Sequence, residues 1–277
     1  MAGVSHYLRM FDAAEKNSRS FMCQFCGAYT PAINNQGICH ACENVISSDR
    51  AALMKNSSDA CVILDNYNKQ VASSDFDAAL KTYDSLLAKY PAPNYTYVKA
   101  LTYISYSNYE LSKIRYDLPG FMGDNSIHKE KASSMFSSAK LLLNKAIFDA
   151  AKQATSQPGQ QTTYGTSYLM FLAAAKLEDV AAAKSYLGKL KASGNAYLST
   201  YAETVFNSHI GDFNALLSSA DSILRSKDFP INVFYYISYA LFKLGKRADS
   251  EKLTGALQKA LGSNTISSLN MYSRMLK

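Results

Sequence analysis

Between residues 75 and 91 the apolar side chains Phe76, Ala79, Leu80, Tyr83, Leu86 and Leu87 recur every three or four positions, with Lys81, Asp84, Ser85 and Lys89 between them. That spacing predicts a helix with one packed face and one wet face. Asp75 and Asp77 place negative charge at its start and Lys89 positive charge near its end, while Pro91 cannot continue it. About four turns of helix are marginal alone in water, so the apolar stripe requires neighbours. The pattern continues on both sides. Residues 59–72 predict a preceding helix, antiparallel because only Ser73 and Ser74 intervene. Residues 94–117 predict a long tyrosine-rich helix broken at Leu118-Pro119-Gly120, and residues 127–154 a longer one with Ser126 as its N-cap. The polar Pro/Gly/Gln/Thr segment 155–163 reads as a linker, and residues 6–16 as a short N-terminal helix.

Further on the joints become periodic. Phe171 to Lys176 leads into Glu178-Asp179-Val180, Phe206 to Ile210 into Gly211-Asp212-Phe213, and Leu241 to Leu244 into Gly245-Lys246-Arg247, at spacings of 33 to 34 residues. Gly211 and Gly245 stand where one helix must stop and an antiparallel one begin, a left-handed position suited to glycine. Tyr201, Phe206, Phe234, Ile237 and Leu241 supply one packed face of successive units, and Leu187, Leu190, Ala220, Leu224, Leu253 and Leu257 the other. Residues 266–276 predict a terminal helix that covers the end of the stack. Asp75-Phe76, Ala79, Tyr83 and Pro91 fall at the offsets of the second helix of a tetratricopeptide repeat, and the chain resembles that family in its period. Tyr67, where the family has glycine, and the absence of tryptophan mark the unit as degenerate. The resemblance implies an all-α fold, a right-handed TPR-like α-solenoid of antiparallel helix pairs, whose groove binds a protein or peptide.

The sharpest chemical signal lies upstream, in Cys23-Gln24-Phe25-Cys26-Gly27 and Cys39-His40-Ala41-Cys42. Two cysteines three apart on a tight turn can point at one ion, and Gly27 supplies the positive φ that folds the turn back. Two such turns complete a tetrahedral set, so Cys23, Cys26, Cys39 and Cys42 are the expected zinc ligands. A shell closed by four thiolates makes Zn2+ structural and leaves no position for an activated water. Disulfides or inert buried thiols are the alternative, disfavoured in a cytosolic chain. Over residues 21–45 the segment resembles a zinc ribbon, departing from it at Glu43, where a glycine is usual. His40 could replace one cysteine but is expected on the solvent side, and Cys61 is expected as a buried structural thiol. These readings divide the chain into a zinc-ribbon module, 1–55, and a helical-repeat domain, 56–277, with a possible subdivision at 155–163.

Composition narrows the function. With 48% hydrophobic and 18% charged residues the chain is globular, and its N-terminus holds no apolar core segment, which predicts a cytoplasmic protein. The formal charge of +7 is concentrated at the C-terminal end, where residues 225–277 hold 9 Lys/Arg and 3 Asp/Glu. Four thiolates and one Zn2+ would lower it to about +5. His6, His40, His128 and His209 lie in different elements, and Asp75/Asp77 and Glu178/Asp179 read as helix N-terminal charge, so no enzyme is expected. The leading expectation is a protein-protein interaction scaffold. Tyr95, Tyr103, Tyr168, Tyr201 and Tyr236 are the candidate groove contacts, since tyrosine offers contact area at low entropy cost. Lys243, Lys246 and Arg247 form a basic cluster suited to an acidic partner. The competing expectations are an RNA- or ribosome-associated protein using the ribbon and this basic surface, and a homo-oligomeric structural component.

Overall fold

The computed structural model describes residues 3–17, 19–32, 36–47, 58–114, 122–155, 164–226, 229–262, 271, 274 and 275. Helix α1 (Val4–Asn17) precedes two antiparallel hairpins, β1 (Arg19–Met22) with β2 (Tyr29–Ala32) and β3 (Gln36–Ile38) with β4 (Val45–Ser47). Ten helices follow among the described residues: α2 (Ser58–Ala72), α3 (Phe76–Lys89), α4 (Pro93–Ser112), α5 (Met122–Thr155), α6 (Tyr164–Lys176), α7 (Val180–Ala192), α8 (Ala196–Ile210), α9 (Phe213–Leu224), α10 (Val233–Lys243) and α11 (Arg247–Leu261). The protein is therefore mostly helical, with short strands confined to its N-terminal part. No described helix is long and apolar enough to cross a membrane.

Most joints between paired helices share one local device. A residue in the left-handed region ends the first helix: Ser74, Glu178, Gly194, Gly211 or Gly245. At four of these joints the next residue caps the second helix, Asp75, Asp179, Asn195 and Asp212 accepting the N–H of Ala78, Ala182, Leu198 and Ala215 at 2.9–3.2 Å. Each cap satisfies one of the backbone donors that a helix start leaves over. Reversal within so few residues lays the second helix back along the first, and consecutive helices pack throughout. The helix expected over 75–91 has these bounds nearly to the residue, with Phe76, Ala79, Leu80, Tyr83 and Leu86 buried.

Two boundaries depart from expectation. Helix α5 begins at Met122, so Ser126 lies inside its first turns and is not its cap; Gly123, Asp124 and Asn125 are equally local cap-type residues, and helix packing against α4 carries the helix past all of them. Helix α4 ends at Ser112, short of the expected 117. The linker 156–163 and most of the expected terminal helix 266–276 lie outside the described residues.

The core is continuous. Buried side chains from Tyr7 in α1 through the hairpins to Met271 form one cluster. Helix α1 packs on α11 and also reaches α10 and α9, with Phe11 edge-on to Phe234 at 5.4 Å and the Tyr7 hydroxyl donating to Asp221 at 3.1 Å. The hairpins thus share one buried cluster with the helices that follow them.

Candidate metal centre

The two hairpins carry the same turn. In the first, Gly27 N–H donates to Cys23 O and Cys23 N–H to Ala28 O; in the second, Glu43 N–H donates to Cys39 O and Cys39 N–H to Asn44 O, all at 2.9 Å. Gly27 and Glu43 occupy equivalent places with φ of 71° and 60°. The turns bring Cys23, Cys26, Cys39 and Cys42 together, every sulfur within 4.8 Å of the others, with Cys23–Cys42 at 3.7 Å and Cys26–Cys39 at 3.5 Å. No sulfur pair is bonded. All four cysteines are buried.

The surroundings suit thiolates. Phe25 N–H points at Cys23 Sγ, Ala41 N–H and Thr30 Oγ1 at Cys39 Sγ, and Asn44 Nδ2 at Cys42 Sγ, each at 3.4 Å. Donors aimed at sulfur orient metal ligands and stabilise their negative charge. Burial holds the Cys26 and Cys42 thiols well above the usual range. Burial pushes Cys39 up too, but hydrogen bonds from Cys23, Cys26 and Cys42 and the nearby His40 outweigh it and bring Cys39 well below. Four sulfurs sealed in this way could hold one metal ion, and the second ring of donors fits that use. His40 is no part of the set. It is buried, contrary to the solvent-side expectation, with Nδ1 3.0 Å from Thr30 Oγ1. Cys61, expected to be buried, is half-exposed on α2, because the inward positions of that helix are Ala60, Leu64, Tyr67 and Val71.

Helices from both halves of the chain close on the turns. Around the first, the hydroxyls of Tyr83 and Tyr95 donate to Phe25 O at 2.6 Å and Gln24 O at 3.0 Å. Leu64 O lies 2.4 Å from where a Cβ on Gly27 would stand, so glycine is required by space as well as by φ. Around the second, Tyr168 donates to Glu43 O at 3.0 Å, Asn232 Nδ2 to Cys39 O at 2.9 Å and Asn94 Nδ2 to Asn44 Oδ1 at 2.8 Å. The Glu43 carboxylate is the hub: Oε1 accepts from Tyr201 at 3.0 Å and from Tyr236, and Oε2 pairs with Lys176 at 2.8 Å. Burial pushes its carboxyl up, but Lys176 and the two phenols outweigh that and hold it below the usual range. The phenols of Tyr168, Tyr201 and Tyr236 are pushed well up, chiefly by burial, and stay neutral donors.

Of the tyrosines expected to line a binding groove, Tyr95, Tyr168, Tyr201 and Tyr236 therefore converge on the chain's own cysteine turns. Tyr103 stands apart, half-buried with Lys99 above its ring. Lys243 lies over Tyr239 and Arg247 over Phe242, and Lys246 and Arg247 are exposed. Sequence reasoning missed Glu43, Lys176, Asn94 and Asn232. The one available signal was Glu43 itself, a charged residue where the turn favours glycine. Comparison with protein-family models, with curated proteins and with solved structures finds no match.

Proposed function

We propose that this protein is a non-enzymatic interaction scaffold: a right-handed TPR-like solenoid assembled around a structural zinc ribbon that occupies its tyrosine-lined face. The observation that carries the reading is the enclosure of the four-cysteine cluster by tyrosines of α3, α4, α6, α8 and α10. Zinc suits the cluster because Zn–S bonds of about 2.3 Å give a tetrahedron with edges of about 3.8 Å, close to the sulfur separations of 3.5 and 3.7 Å. Four thiolates fill the coordination shell, which favours a structural role over Lewis-acid chemistry. With the inner face filled from within, a partner is met on the outside. Lys246 and Arg247, exposed at the turn into the last repeat helix, favour an acidic protein surface there.

Two measurements test this. Elemental analysis of the purified protein is expected to give about one zinc per chain, and a Cys23→Ser, Cys26→Ser double variant to lose both the metal and its cooperative unfolding. A wild-type chain that is folded without metal overturns the keystone role. Affinity capture by the intact protein and by a Lys246→Glu, Arg247→Glu variant then tests the outer surface: identical capture by both removes the basic turn as the contact. Capture dominated by RNA, falling steeply with salt, would replace the protein partner with a nucleic acid.

A further inference from the structure

A second feature lies away from the cysteines, at three alternate joints. The α6–α7, α8–α9 and α10–α11 joints recur at 33 to 34 residues, and α6, α8 and α10 pack side by side in that order. Along them runs a cavity of about 340 Å³, within the size range of small-molecule sites. One part of its wall is cationic. Arg274 is fixed in place by donating from Nη1 to Ser208 Oγ at 3.2 Å and from Nη2 to Ser208 O at 3.0 Å, and its guanidinium lies 4.7 Å above the Tyr239 ring. Lys243 Nζ lies 5.7 Å from the same ring. Neither cation has a carboxylate within ion-pair distance among the described residues, although Glu178 and Asp179 line the cavity's other side.

Between these walls His209 Nε2 is buried and has no hydrogen-bond partner among the described residues. An orphaned buried polar atom is costly and requires a reason. Burial, with Arg274 and Lys176 nearby, holds the imidazole well below the usual His range, so the ring is neutral and can donate or accept one hydrogen bond there. Phe206, Phe213 and Tyr239 give the same cavity aromatic walls. Asp179 already caps α7 through Ala182 N–H, and with exposed Glu178 it sets a negative rim that opposes a multiply charged guest.

We propose that this cavity binds a small organic anion, a carboxylate or a phosphate monoester on a flat apolar body, with its oxygens at Arg274, Lys243 and His209 Nε2 and its body between the aromatic walls. Both head groups share the oxyanion chemistry that Arg and Lys recognise. The acidic rim favours the lower charge.

Calorimetric titration of the zinc-loaded full chain with benzoate, phenyl phosphate, acetate and inorganic phosphate tests it. At least one aromatic anion is expected to bind about tenfold or more tighter than acetate and inorganic phosphate, and benzoate against phenyl phosphate identifies the head group. Lys243→Ala, Arg274→Ala and His209→Phe are each expected to weaken binding by about tenfold, the loss of one charge-assisted or buried hydrogen bond. Unchanged zinc content and unfolding midpoint identify variants that fold normally. Lys243→Ala, on a partly exposed side chain, keeps the test open if Arg274→Ala loosens the C-terminal segment. The site is overturned if neither aromatic anion binds at millimolar concentration, if acetate or inorganic phosphate binds as well as the tighter aromatic anion, or if a folded Lys243→Ala protein binds as the wild type does.

Discussion

At φ 60° Glu43 holds a backbone conformation that costs a non-glycine residue about 1–2 kcal/mol. Its carboxylate offsets that cost by meeting Lys176, Tyr201 and Tyr236 in a buried site. Breaking a buried ion pair from one side costs about 3–5 kcal/mol. Glu43→Gln should therefore lower stability by about that amount, read as a fall in the denaturation midpoint. Glu43→Gly recovers the strain but strands Lys176, so it should still be destabilised, by about 1–4 kcal/mol; a glycine variant as stable as wild type would show that the pair has no net value. Glu110 offers a pH-dependent counterpart. Burial pushes its carboxyl up, but Lys113 at 3.0 Å, His128 at 2.6 Å and Lys131 at 3.5 Å outweigh it and leave it below the usual range. A lowered folded pKa means stability that is fully present above the unfolded carboxylate value of about 4.3 and lost as pH falls through the folded one. The stability gap between wild type and Glu110→Gln should be widest near neutrality and close in acid. Gly27 and the cysteines were legible in the sequence because their roles are local, whereas the partners of Glu43 lie up to 193 residues away.

At the scale of elements, the caps are the repeated unit. Asp179 and Asp212 cap α7 and α9 and accept from different backbone donors. Asp179→Ala and Asp212→Ala should each cost about 1 kcal/mol, and the double variant about the sum. For a chain of this size each step corresponds to roughly 2–4 °C in Tm, so thermal melts of the three variants decide it. A double variant melting with either single one would mean that the helices do not unfold as one cooperative unit. Caps are readable in advance because they join residues three apart, as at Asp75 and Ala78. The start of α5 was misread because four neighbouring residues, Gly123 to Ser126, could all serve as a boundary. Contact with α4, including Ser107 Oγ donating to Ala132 O at 2.8 Å, favours the longer helix.

Across the whole molecule, the four cysteines sit where helices from both halves of the chain meet. Release of the proposed zinc should then require global opening. With excess chelator and a metallochromic indicator, zinc should appear at the rate at which helical circular dichroism is lost, at every denaturant concentration. Rapid release from a still-helical protein would mean that the turns are accessible from solvent. The sequence alone determined the two cysteine turns, the capped helices and the 33 to 34-residue period, because each depends on residues within a few turns of one another. It also marked the tyrosines as a distinct set. A helical stripe, however, states which face is buried and not against what. Tertiary structure decided that Tyr83, Tyr95, Tyr168, Tyr201 and Tyr236 face the chain's own hairpins, and that Glu43 should stand where glycine is easier. Those choices rest on hydrogen bonds and one ion pair between segments remote in sequence, which no local pattern encodes.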